Sequence, residues 1–255
     1  MSALSASLRA SSTLQKPQRR TWVWAKALEW LILSAVPLTL LAWLKPWLLT
    51  FWQAVFTWWS TPLSLSVNSV LNEQRSAITW TALGDGSMVP SNTSLIWNLS
   101  GLAAIWLLSG FFSDRFYPLK TTLRALCLIH LSACLFFIWA PASFPYSISK
   151  HLQALMDLGY GFMWVIPPML ALGWGLLNVP VWQKVLGPCG VLAYFALMLP
   201  HKWLLQAWLL EHLSILFMPV LFLCFGSLLD LWIFVALYAW LASGVSAPTH
   251  TRGRV

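Results

Sequence analysis

The chain has 255 residues, a net charge of +8, and 59% hydrophobic against 9% charged residues, with a mean hydropathy of +0.71. A soluble domain carries about 25% charged residues, so these few charges cannot cover a water-facing surface. Apolar windows of about 20 residues recur along the chain, as transmembrane helices require, and the short alternating segments of a membrane β-barrel are missing.

The fold class read from this pattern is all-α: a polytopic transmembrane helical bundle with about six spans, alternatively seven, and a small extracytoplasmic hairpin. A charge of +8 in a soluble protein would raise nucleic acid as a partner. Here the charges sit at span ends, so membrane orientation accounts for them, and the expected partners are the lipid bilayer and other membrane proteins. The 19 tryptophans, crowded at Trp22, Trp24, Trp30, Trp43, Trp47, Trp52, Trp58 and Trp59, read as interfacial anchors, because an indole has an apolar body and one N–H donor.

Residues 1–21 read as a disordered basic cytoplasmic tail, without the short basic prelude of a cleavable signal peptide. The transmembrane domain runs over 22–245. Span 1 covers about 27–44, with a kink expected at Pro37. Lys45-Pro46 is read as its end, and the Trp-dense stretch after it as an interfacial helix. Residues 62–92 form the sizeable polar segment, an extracytoplasmic loop. Within it ITWTAL (78–83) alternates like a strand, GDG (84–86) signals a turn, and SMV (87–89) is the expected return strand. Asn92-Thr93-Ser94 and Asn98-Leu99-Ser100 match a glycosylation acceptor pattern that is common by chance.

Span 2 is expected at about 94–112, span 3 at 122–140, span 4 at 155–177 and span 5 at 183–199. Pro167 and Pro168 remove two adjacent backbone donors, so span 4 is expected to be broken or sharply bent. Residues 203–243 exceed one span about twofold. They read either as a short helix 203–212 before one long span, or as two spans meeting near Gly226-Ser227. With the N-terminus inside, the inside segments hold ten Lys and Arg and the outside segments four, with Arg124 near the inner end of span 3. That bias predicts a cytoplasmic N-terminus in a cell inner membrane. An even span count makes 246–255 a cytoplasmic tail.

Charged groups deep in a membrane are functional candidates. Span 3 carries Arg124, Cys127, His130 and Cys134. At 100° per residue the two cysteines and the histidine fall within about 60° of one another, a stripe facing a neighbouring helix or a cavity. Soft ligands so placed suit copper or haem iron, but packing is the stronger account, for small apolar thiols and for a His bonded to another helix. No metal or cofactor is therefore assigned. Glu211 and His212 sit side by side in an apolar run, and the pair is read as orienting a turn near the outer surface. His201 and His212 share a helical face but lie roughly 16 Å apart along it, too far for one metal ion or one proton. Asp230 needs a partner if it lies in a continuous span. The cysteines form no CxxC, and no HExxH, GxSxG or P-loop is present.

The layout resembles exosortase-type proteins, bacterial transpeptidases of the inner membrane. WNLSGLAAIWLLSGFF (97–112) resembles the span that carries their Cys-Ser-Gly. LKTTLRALCLIHLSACLFF (119–137) resembles their basic loop and following span, and SKHLQALMDLGYGF (149–162) the segment with their His. The nucleophilic Cys and the outer Arg are absent here. Only His151 matches, and without thiolate and stabiliser the acyl transfer has no machinery. TWVWAKALEWLILSAVPLTLLAWLKPWLL, the 76–89 region and LGYGFMWVIPPMLALGWGLL (158–177) are similar to the small Trp-rich membrane proteins that accompany exosortases, over residues 22–178. That resemblance implies no active-site residue. The leading expectation is a non-enzymatic accessory or assembly subunit of a cell-envelope system. The alternatives are a small-molecule or ion transporter or channel, and a membrane-embedded cysteine transpeptidase or redox subunit.

Overall fold

The computed structural model describes residues 16–72, 77–82, 89–144, 147–175 and 181–243. Helix α1 (Lys16–Ser60) is followed by strands β1 (Val67–Asn72) and β2 (Ala77–Ala82). Helices α2 (Asn92–Ser109), α3 (Tyr117–Trp139), α4 (Ile148–Gly175) and α5 (Val181–His212) come next. A 3-10 turn (Ile215–Phe217), α6 (Met218–Phe222), a π-helical turn (Leu223–Leu228) and α7 (Leu229–Ser243) complete the described chain. The architecture is an all-α bundle carrying one two-stranded antiparallel hairpin.

Five helical segments are long and apolar enough to cross a membrane: Trp24–Ser60, Tyr117–Trp139, Ile148–Trp174, Trp182–His212 and Ile215–Ser243. α2 is a sixth helix, of 18 residues. It starts at Ser91, whose Oγ accepts from Ser94 N at 3.1 Å and so satisfies one orphan donor of the first turn. α3 starts with Pro118 in its first turn, where the missing N–H costs nothing.

The chain order alternates direction. The hairpin rests on the C-terminal end of α1, where Gln53 Nε2 donates to Ser69 O at 2.7 Å. Glu29, near the start of α1, pairs with Lys184 at the start of α5. The bundle thus has a hairpin end and an opposite end. α2 and α3 are antiparallel, Asn98 meeting His130 and Ser109 meeting Arg124; His130 stacks on Phe217, just beyond the end of α5 that holds Ser66, so the Asp114–Phe116 turn lies at the opposite end. The core forms where α1, α4 and α5 meet: Trp52, Phe56, Leu152, Met163, Ile166, Phe195 and Trp203 are all buried. Trp203 meets Trp52 edge-on, with ring centroids 5.0 Å apart. Outside this core the surface is apolar. Trp24, Trp43, Trp97, Trp182 and Trp240 are exposed, and Trp139 is 92% exposed, which lipid tolerates and water does not.

The structure corrects several expectations. Lys45-Pro46 does not end span 1, because α1 continues through both Pro37 and Pro46 as one helix of 45 residues, about 67 Å long. The stretch after Pro46 is no interfacial helix, since Trp52 and Phe56 are buried in the core. α4 stays helical through Pro167 and Pro168, so that pair is no helix break. α5 likewise runs through Pro188 and Pro200 to His212, which makes 203–212 the last third of that helix. One bent segment, Ile215–Ser243, then follows. The partner of ITWTA in the hairpin is the upstream VNSVLN, in register Val67↔Ala82 to Asn72↔Ala77. The expected turn at 84–86 lies outside the described residues, as do the return strand except Val89, most of the N-terminal tail, and 246–255. Among the tryptophans, Trp52, Trp80, Trp174 and Trp203 are core residues rather than interfacial anchors.

Candidate functional site: a polar network at the break in the last helix

Ile215–Ser243 loses regular helical form at one place. Gly226 has φ −83°, ψ −111° inside the π-helical turn, and Leu229 N–H reaches back to the Cys224 and Gly226 carbonyls, passing over Phe225 O. A π-turn leaves a carbonyl without its usual donor, and a buried carbonyl so left is costly. Gln206 Nε2 donates to Phe225 O at 3.0 Å, and Lys202 Nζ donates to Gly226 O at 3.3 Å. Lys202 and Gln206 are four residues apart, hence on one face of α5. That face meets the exposed backbone of the break.

Two further groups complete the network. Lys202 Nζ lies 2.5 Å from Asp230 Oδ2, with side-chain exposures of 11% and 5%. His151 of α4, also buried, donates from Nε2 to Gln206 Oε1 at 3.3 Å, and its ring faces Phe222. One cation and one anion cancel in a dry environment, where an unpaired charge would be costly. Asp230 was recognised from sequence as needing a partner. Lys202, which supplies it, is one of the four Lys and Arg that the sequence places in outside segments, and the helix-to-helix pairing has no local signal.

The other sequence candidates lie elsewhere. Glu211 accepts from both Ser66 N and Ser66 Oγ at 3.0 Å, fastening the hairpin's first strand to the end of α5. His212 is exposed, donates from Nδ1 to Trp208 O and stacks on the Trp208 ring. The turn beyond them is capped by Ser214, whose Oγ accepts from Leu216 N. His130 donates from Nε2 to Asn98 Oδ1 at 3.0 Å and stacks on Phe217 at 4.5 Å. Arg124 lies over the Trp106 ring, 5.1 Å from its centroid, and Arg124 Nε donates to Ser109 Oγ at 3.0 Å. Cys127 and Cys134 are buried free thiols. Among the described residues no three His, Cys, Asp or Glu side chains come together as a metal site, so the Cys127/His130/Cys134 stripe is not gathered round a shared ion. No family model, curated protein or solved structure matches this chain.

Proposed function

We propose that this is a multi-pass protein of a bacterial inner membrane, N-terminus cytoplasmic. Its role in this reading is that of a non-enzymatic accessory or assembly subunit of a cell-envelope system, such as exosortase-linked protein sorting. The observation that supports this is where the intramembrane polar groups go. His130 meets Asn98, Arg124 meets Ser109, His151 meets Gln206, Lys202 meets Asp230, and Glu211 meets Ser66. Each ties one element to another, which is the work of a scaffold. The hairpin, held at one end of the bundle, is the surface offered to a partner outside the membrane. Purification from the native host in mild detergent tests this: a stable complex with other envelope proteins is expected. Recovery as a lone monomer under conditions that preserve other membrane complexes would refute it.

A second reading, a transporter or channel, is favoured by one observation: the Lys202–Asp230 pair beside the Gly226 break. Interrupted helices and intramembrane charges are how transporters build binding sites. Solute or ion flux in proteoliposomes, abolished by Asp230→Asn in a protein that still folds, would establish it over the first.

A further inference from the structure

We infer that the groove between α2 and α3 holds an acyl chain of an anionic phospholipid whose headgroup phosphate is met by Arg124. The groove has a volume of about 340 Å³ and is walled by Leu99, Leu102, Ala103, Trp106, Leu128 and Leu131. Nearly every atom in it is apolar, which suits a hydrocarbon tail and offers a polar ligand nothing.

Its end is chemically different. Trp106 belongs to the wall, and the Arg124 guanidinium sits over that ring. The bond to Ser109 Oγ uses one of five guanidinium N–H groups. The ion pairs among the described residues join Lys26 and Lys184 to Glu29, and Lys202 to Asp230. Among the described side chains no carboxylate reaches Arg124, Arg115 or Lys120. Arg124 lies seven residues into α3, about 10 Å from its start. Side chains on a helix lean toward its N-terminus, here the end of the bundle opposite the hairpin. A long cationic side chain so placed reaches toward the headgroups while its stem stays in hydrocarbon, and a planar guanidinium suits a phosphate. Lys120, one turn nearer that end and half-buried, and the exposed Arg115 extend the same positive field. An anionic headgroup gains from all three; a zwitterionic one gains far less.

The inference rests on the chain being embedded in a bilayer, and the two fail differently. Extraction by alkaline carbonate would defeat the embedding itself. The lipid site is tested on the full chain in detergent by native mass spectrometry with added dioleoylphosphatidylglycerol or dioleoylphosphatidylcholine. The glycerol lipid is expected to bind several-fold more tightly. Arg124→Gln should lower that affinity about fivefold, as loss of one cation near a headgroup implies, and weaken the choline lipid less, because its ammonium already offsets the phosphate that Arg124 meets. Arg124→Lys should restore most of the preference, which a fold defect would not. Ala103→Trp, which fills the groove, should weaken both lipids. Equal binding of the two lipids, or an unchanged preference in Arg124→Gln, would overturn the proposal. So would competition by millimolar inorganic phosphate that matched the lipid's own effect, because the groove would then be idle.

Discussion

The Lys202–Asp230 pair permits a double-mutant test with a worked magnitude. Asp230 is 5% and Lys202 11% exposed at the side chain, and Nζ holds both the carboxylate and Gly226 O. Removing one partner of a buried pair leaves the other charge uncompensated and costs about 3–5 kcal/mol. Lys202→Met also removes one of two donors to Gly226 O, the other being Leu229 N–H, and Asp230→Leu leaves the ammonium with only that carbonyl. Each single variant should therefore lose about 3–5 kcal/mol, and additivity would put the double near 6–10 kcal/mol. Coupled, the double variant buries no charge and forfeits only the hydrogen bond to Gly226 O. It should fall within about 1–2 kcal/mol of the parent. Equilibrium unfolding in mixed micelles, read by far-ultraviolet circular dichroism, measures all four proteins. Additive losses, or single losses below about 1 kcal/mol, would refute the view that these two groups neutralise each other in a dry interior.

Trp52→Phe should cost about 1–2 kcal/mol, because Trp52 Nε1 donates to Ala196 O at 2.8 Å. That carbonyl's helical donor would be residue 200, a proline; the same unfolding assay reads it. Glu211→Gln gives up the negative charge and one of two acceptors for Ser66. It should weaken the hairpin's attachment by about 1 kcal/mol, seen as roughly fivefold faster amide exchange over 67–72 with the bundle helices unaffected. Gly187→Ala places a methyl 2.1 Å from the Trp174 ring, which is buried on the neighbouring helix, and should destabilise by about 1–3 kcal/mol. Gly190→Ala, three residues on with open space around it, serves as the neutral control.

Span-forming segments were legible because long apolar windows arise from composition alone. α2 and α3 fall within a few residues of the expected 94–112 and 122–140, and α4 overlaps 155–177 closely. Prolines misled where they were read as ends or breaks of a helix. Pro46, Pro167, Pro168 and Pro200 all sit in continuous helix, because a neighbouring helix can return the lost hydrogen bond, as Trp52 does for Ala196 O. The real irregularity is at Gly226, which carries no proline signal. It was visible only as one of two junction alternatives, since what maintains it, Lys202 and Gln206, lies on another helix. The hairpin was half legible. AITWTA alternates cleanly, with Ile78 and Trp80 inward, while VNSVLN does not alternate, and its pairing follows from docking against α1.

The double variant that measures stability also separates the two functional readings. If the charges serve only to hold α5 against the bent last helix, a Met–Leu pair of similar bulk keeps that contact apolar. The Phe225 carbonyl still has Gln206, and the scaffold should assemble with its partners as before. If the pair is instead broken and re-formed as the Gly226 segment moves, the apolar substitute removes what distinguishes the two states, and flux should vanish while the fold persists. A stable, complex-forming Lys202→Met/Asp230→Leu protein speaks for the scaffold. A stable protein that has lost transport shows that the ion pair was retained for its reversibility, since as a stabilising device it is replaceable by hydrocarbon.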